Sequence, residues 1–178
     1  MDNSRRGSAA LRSGVLIVAI LTTGLTAGVY TDWSNTVMPG LGGLDDRTFV
    51  LAYRALDAAI YNPLFLGLQF TGAFVFIALA VVLHLRRPWR SALIWLVVAL
   101  LCYLVSMVVT FAVNVPLNEE LAMLPRPRGD AEFTAARAVL QEASWTAWNT
   151  VRAIASTIAF GCLAWSLVIH GRLASVRR

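Results

Sequence analysis

The chain has no lysine: all 15 of its basic residues are arginine, set against 10 acids. Charge of either sign is scarce, at 14% of 178 residues against 58% hydrophobic ones, and mean hydropathy is +0.66. That balance excludes an ordinary soluble domain and suits a polytopic membrane protein of one domain, residues 1–178, whose first partner is the lipid bilayer. A net charge of +5 could serve nucleic acid only if the arginines formed one basic face. They follow a topological pattern instead, so no nucleic-acid partner is expected. The two cysteines, Cys102 and Cys162, both fall inside apolar runs and read as buried free thiols. His84 and His170 are the only histidines, at the ends of two apolar runs, where interfacial side chains are expected. Two histidines without a third ligand make no metal site, and no flavin or haem motif is present, so no cofactor is expected.

What the chain does have is four apolar runs, at about residues 14–30, 63–84, 91–113 and 148–170, each of a length suited to crossing a bilayer. A cleavable signal peptide is the competing reading of the first, but that run is long and no clean small-x-small site follows it. Arg5, Arg6, Arg12, Arg86, Arg87, Arg90, Arg172, Arg177 and Arg178 lie on one side of the implied membrane with only Asp2 as acid; nine acids lie on the other. Short arginine-rich segments stay cytoplasmic, which places both termini inside, in a bacterial plasma membrane. Gly24 and Gly28 form a small-xxx-small pattern in the first span that permits close packing.

The two outer segments carry more than a loop requires. Thr31–Asn62 opens with Asp32, Trp33 and Asn35 and turns at Met38-Pro-Gly-Leu-Gly-Gly43. From Arg47 to Asp57, Phe49, Tyr53 and Leu56 recur at helical spacing, with Arg47, Arg54 and Asp57 elsewhere on the wheel, which predicts a short amphipathic helix. A loop at Ala122–Asp130 precedes a second such helix over Ala131–Ala143. The fold class is therefore all-α: a four-transmembrane-helix bundle with two short amphipathic helices on the extracytoplasmic side. Each half reads span, small helix, span, a weak internal repeat.

Chemistry concentrates at Asn114-Val-Pro-Leu-Asn-Glu-Glu120, after the third span. One reading is a helix stop, with Pro116 ending the span and Asn118 capping a helix that starts at Glu119. The other is one wall of a ligand site. Tyr103, Ser106, Thr110 and Asn114 share one helical face; Trp145, Asn149, Arg152 and Ser156 share another; Thr23, Thr26 and Tyr30 lie on the first span, and Asn62 and Gln69 on the second. Lipid disfavours such groups, so these faces should point inward, either as interhelical hydrogen-bonding groups or as a polar pocket. Arg152 either snorkels to headgroups or pairs with a carboxylate, for which Glu119, Glu120 and Asp32 are available. Trp33, Trp145 and Trp148 could line an aromatic mouth.

Asn114-Val-Pro-Leu-Asn118, followed by Trp145-x-x-Trp148-Asn149-x-x-Arg152, with a Pro39-Gly-Leu turn after the first span, resembles the DUF1772 family of small membrane proteins, which includes the fungal anthrone oxygenases. The resemblance implies a four-span bundle and, for some members, insertion of oxygen into an activated tricyclic phenol-ketone, so that the partners would be molecular oxygen and a hydrophobic aromatic small molecule. Such chemistry needs a base, an anion stabiliser and a dry aromatic slot. Glu119 or Asp32 would be the base, and Arg152 with Asn114 and Asn118 would hold the enolate oxygen. Asn149, Trp145, Trp148, Trp33, Asp32 and Gln69 complete the expected substrate-binding set. A small-molecule or lipid binding or transport protein, and a structural partner subunit, are the other classes compatible with these residues.

Overall fold

The structure is a computed structural model and describes residues 2–86 and 89–175. Arg87, Pro88, Arg177 and Arg178 of the predicted basic side lie outside the described residues, as do the side chains of Arg5 and Arg6. Among the described residues all regular structure is helical, and four stretches are long and apolar enough to cross a membrane: Ala9–Gly42, Pro63–Leu83, Arg90–Met123 and Asp130–Leu173.

Helix α1 (Asp2–Asp32) does not stop where its apolar run stops. It widens into a π turn, Trp33–Val37, and continues as α2 (Met38–Gly42). Helix α5 (Arg90–Val109) does the same through Thr110–Asn114 into α6 (Val115–Met123). In both cases a proline, Pro39 or Pro116, sits just inside the following helix. Proline lacks an N–H, and its ring collides with the carbonyl four residues back. Widening the preceding turn shifts the ladder by one residue: the Met38 N–H bonds to Trp33 O, and the Val115 N–H to Thr110 O. The rod then passes the proline unbroken. Two expectations are corrected by this geometry. Pro116 does not end the span and Asn118 does not cap a helix, since it lies inside α6; and Met38–Gly42 is a helical turn rather than an open one.

Within the rods, the stretches Ala9–Gly42 and Arg90–Met123 have 34 residues each, about 51 Å at the helical rise, against a hydrocarbon core of roughly 30 Å. The surplus turns lie at the α2 and α6 ends of the rods. There α3 (Asp46–Ile60) and α7 (Asp130–Val139) pack on the protruding turns to form a cap. The return spans are Pro63–Leu83, π-helical over Pro63–Thr71 and then α4 (Gly72–Leu83), and α8 (Glu142–Ser175). Neighbours in the ring are α1, α4, α5 and α8, with α8 closing on α1. The rod, amphipathic helix and return span thus occur twice, and the repeat is one of architecture.

Small residues let the four spans approach: Ala19, Ala73, Ala80, Ala99 and Ala159 are buried beside Leu16, Ile77, Leu96 and Leu163. Outward faces carry Leu21, Leu25, Leu64, Val82, Ile94, Leu101, Val108 and Ile154, all exposed, as a lipid-facing surface requires. The cap has its own core of Met38, Phe49, Val50, Tyr53, Leu117, Leu121, Phe133 and Trp145.

The stripe of α3 differs from the one read in the sequence. Phe49, Tyr53 and Asp57, at steps of four, form the buried line, whereas Leu56 is exposed. Arginines fasten the cap. Arg137 of α7 reaches Asp46 at 3.1 Å, Glu142 at 2.9 Å, the carbonyls of Leu44 and Gly42, and the face of Phe49 at 4.2 Å. Arg54 donates to the carbonyls of Leu121 and Leu124, closing the C-terminal end of α6. The chain then passes from α7 to α8 through Gln141, whose φ of 51° is left-handed.

Candidate functional site

At the level where bundle meets cap, the polar faces read on α1, α5 and α8 turn inward together. Tyr30, Ser106, Thr110, Asn114, Trp145, Asn149, Arg152 and Ser156 are all buried. Part of this polarity only satisfies itself. Thr110 and Thr26 return their hydroxyls to carbonyls one turn back, and Ser156 bonds Ser106 at 3.1 Å.

Arg152 sits in the middle of this layer, 7% exposed. It does not snorkel. One Nη donates to Asn149 Oδ1 at 2.6 Å and the other to Thr110 Oγ1 at 3.3 Å. Its guanidinium carbon lies 4.3 Å from the ring centroid of Tyr30 and 5.6 Å from that of Trp145. Asn149 is itself held, donating to Tyr30 O at 2.8 Å and Ser34 Oγ at 2.6 Å, so the arginine is fixed through a fixed amide. The expected carboxylate pairing is corrected here: Glu119, Glu120 and Asp32 are exposed, and the hydrogen bonds of Arg152 go to an amide and a hydroxyl. Turning the α6 stub past Pro116 as helix, rather than stopping it, points Glu119 and Glu120 away from the bundle.

Trp145 joins this layer to the cap. Its carbonyl accepts from Asn114 Nδ2 at 3.1 Å, and its Nε1 donates to Asn118 Oδ1 at 2.6 Å. Asn118 Oδ1 also accepts from the Tyr53 hydroxyl at 2.7 Å, and Asn118 Nδ2 donates to Asp57 Oδ1 at 2.7 Å. Asn114, Asn118, Asn149 and Arg152 therefore belong to one connected assembly. Trp33 joins it, 5.5 Å from Trp145 and 5.9 Å from Tyr53 between ring centroids. Trp148, at 42% exposed, faces outward instead.

Asp57 is the residue that sequence reasoning missed. It is the carboxylate inside the assembly, 9% exposed, and burial holds its carboxyl above the usual carboxylate range while the Asn118 N–H partly offsets that shift. The signal was present: Asp57 continues the Phe49–Tyr53 line by four residues, an acid on a buried stripe. Asn62 and Gln69 do not act as a pair. Asn62 caps the second span, accepting from the Phe65 N–H at 2.9 Å, and a π-helical stretch no longer returns a spacing of seven to the same face. Three buried polar atoms of expected site residues, Asn114 Oδ1, Arg152 Nε and Gln69 Oε1, make no hydrogen bond within the described residues.

At the opposite end of the bundle, His84 and His170 are buried within the protein. His84 Nε2 lies 3.2 Å from His170 Nδ1, and His170 stacks on Trp89 at 4.5 Å. Because His84 Nδ1 faces the Ala80 carbonyl at 2.7 Å, the bonds are satisfied when His84 donates there and accepts from His170. No group of three metal-ligating side chains occurs among the described residues.

Fold and site together define an all-helical bundle of membrane-spanning type with a fixed, uncompensated cation beneath a polar and aromatic cap. A family model described as anthrone oxygenase matches residues 62–162, more than half of the chain, and the protein belongs to that family. Asn114, Asn118, Asn149 and Arg152 lie inside the matched stretch; the first span, the Pro39-Gly-Leu segment and Asp57 precede it. No curated protein and no solved structure matches the chain.

Proposed function

We propose that the protein is an oxygenase, working without an organic cofactor, that oxidises a lipid-soluble tricyclic phenol-ketone of the anthrone type where bundle and cap meet, with the cap outside the plasma membrane. The observation that carries this reading is the state of Arg152: buried, held by Asn149, Thr110 and two aromatic rings, and bonded to no carboxylate. A buried cation without a counter-anion favours an anion that arrives with the ligand. Membership of a family described as anthrone oxygenase supports an enolate as that anion.

The chemistry asks little more of the protein. Removal of a proton from the methylene carbon opposite the ketone gives an electron-rich enolate, which reduces oxygen by one electron. The two radicals join at that carbon, and the resulting hydroperoxide loses water to leave a second ketone. The CH2 group and O2 become C=O and H2O. Arg152 holds the enolate oxygen through its unbonded Nε–H, and the unbonded Asn114 Oδ1 accepts from a phenol hydroxyl of the ligand. Asp57, with its raised proton affinity, takes the proton in preference to the exposed Glu119 or Asp32, and Asn118 orients it. Trp33, Trp145 and Tyr53, whose rings meet edge-on or tilted, supply the aromatic lining.

The test is oxygen uptake by purified protein in nanodiscs supplied with 1,8-dihydroxyanthrone. One O2 consumed per quinone formed, well above the rate of empty discs, is the expected result. Saturable binding with no uptake would replace the enzyme by a binding protein built on the same geometry.

A further inference from the structure

The mechanism above uses the inner faces of α1 and α8, but their outer faces also part. A crevice of about 570 Å³ runs between them, lined by Gly24, Ala27, Gly28, Thr31, Asn35 and Thr157, and by Asp32, Thr36 and Phe160. A second opening of about 270 Å³ shares Thr31, Asn35 and Thr157 and continues to Ser34 and Thr150. Together they form a slot open to lipid, apolar toward mid-bundle and polar toward the cap. We propose that this slot is the membrane-side binding and entry site for a neutral, flat, lipid-soluble phenol or ketone.

Three observations select that occupant. Phe160 already covers Gly24, with its ring 3.0 Å from where a Cβ would stand, whereas a Cβ on Gly28 meets nothing within 4 Å. A second copy packing through the glycine seam would need both glycines free; a thin molecule needs only the space over Gly28. The polar end offers hydroxyls and an amide, no basic side chain, and one acid, Asp32, which suits a hydrogen-bonding neutral head and repels a phosphate. The space falls in the range of small-molecule sites and is too small for a whole phospholipid. The slot also leads somewhere: Ser34, on its wall, accepts from Asn149 Nδ2 at 2.6 Å, and Asn149 Oδ1 accepts from Arg152. The inference deepens the oxygenase reading and rests on it for the guest's role as substrate.

The test uses 1,8-dihydroxyanthraquinone, already oxidised, so that binding is read without turnover. The intact chain is placed in phosphatidylcholine nanodiscs and titrated by quenching of tryptophan fluorescence. Gly28→Leu and Thr157→Leu fill the slot from opposite walls. Gly14→Leu is the control, on the same helix and likewise free of contacts within 4 Å, but about 21 Å toward the other end. Saturable binding weakened at least 10-fold by both slot variants, with Gly14→Leu unchanged, is expected. No saturable binding, wild-type affinity in both slot variants, or equal losses in all three variants would overturn the proposal. So would weaker binding on replacing phosphatidylcholine by phosphatidylglycerol, which would mark a lipid headgroup site, or a shift from dimer to monomer in Gly28→Leu with affinity intact. The two readings fail separately: slot-dependent binding without oxygen uptake keeps the slot and removes the oxygenase, and unchanged turnover in both slot variants does the reverse.

Discussion

Replacing Arg152 by methionine should separate stability from function, because no carboxylate is left behind. Burying a guanidinium costs several kcal/mol even after relaxation. Against this stand two hydrogen bonds to the charged group, about 1.5–3 kcal/mol each and weaker for the 3.3 Å contact with Thr110, and two ring contacts of about 0.5–2 kcal/mol. The terms nearly cancel. Methionine refills much of the volume, the Thr110 hydroxyl keeps its bond to Ser106 O, and only Asn149 Oδ1 loses its donor, at about 1–3 kcal/mol. Arg152→Met should therefore stay within about 2 kcal/mol of wild type in denaturant unfolding while oxygen uptake with an anthrone falls at least 100-fold, or about 2.7 kcal/mol of transition-state stabilisation. Arg152→Lys should also be impaired, since an ammonium cannot span Asn149, Thr110 and two ring faces at once. A loss of more than about 4 kcal/mol in Arg152→Met would mean that a buried partner charge has been stranded, and retained turnover would remove the cation from the reaction.

Asp57→Asn should abolish turnover and gain stability relative to wild type as pH rises. The folded carboxyl is held above its unfolded value, so the native state binds the extra proton and wild-type stability falls as pH climbs from about 4 through the folded pKa; melting temperatures compared between pH 4 and 8 read this, and a constant difference would refute it. Gln141→Gly should stabilise by about 1 kcal/mol by relieving a left-handed non-glycine residue, read as a shift in the unfolding midpoint. Arg137→Ala should cost about 2–4 kcal/mol and raise hydrogen exchange in α3 and α7 while sparing the spans, because its partners all lie in the cap or where the cap joins the bundle. Cysteines placed at Gly43 and Gly129 should label from outside intact cells and one at Ser91 should not; the reverse pattern would invert the topology.

Much of this architecture could be read from the residues, for identifiable reasons. Lipid leaves polar groups in a span few places to go, so spacing alone brought Ser106, Thr110, Asn114, Asn149, Arg152 and Ser156 to one layer. What failed was the treatment of proline. Pro39 and Pro116 read as breaks because a regular α-helix would break there, and a π turn, which no spacing rule announces, carried both rods through. That error left a helix cap open as one of two readings of Asn118 and made Glu119 an available partner for Arg152. Asp57 was passed over because a charge on an amphipathic helix is ordinarily placed on its wet face; here the amide of Asn118, itself held by Tyr53 and Trp145, makes its burial tolerable. The two histidines, both at the same end of their spans and so able to approach one another, do meet, at 3.2 Å.

The central claim is that Arg152 binds its ligand as an anion, and absorbance reads this directly. Mixed without oxygen at neutral pH, wild-type protein in nanodiscs and 1,8-dihydroxyanthrone should develop the long-wavelength band of the enolate in proportion to bound ligand, and Arg152→Met should bind without that band. A wild-type complex that keeps the spectrum of the neutral ketone, or an enolate band of equal strength in Arg152→Met, would contradict the account.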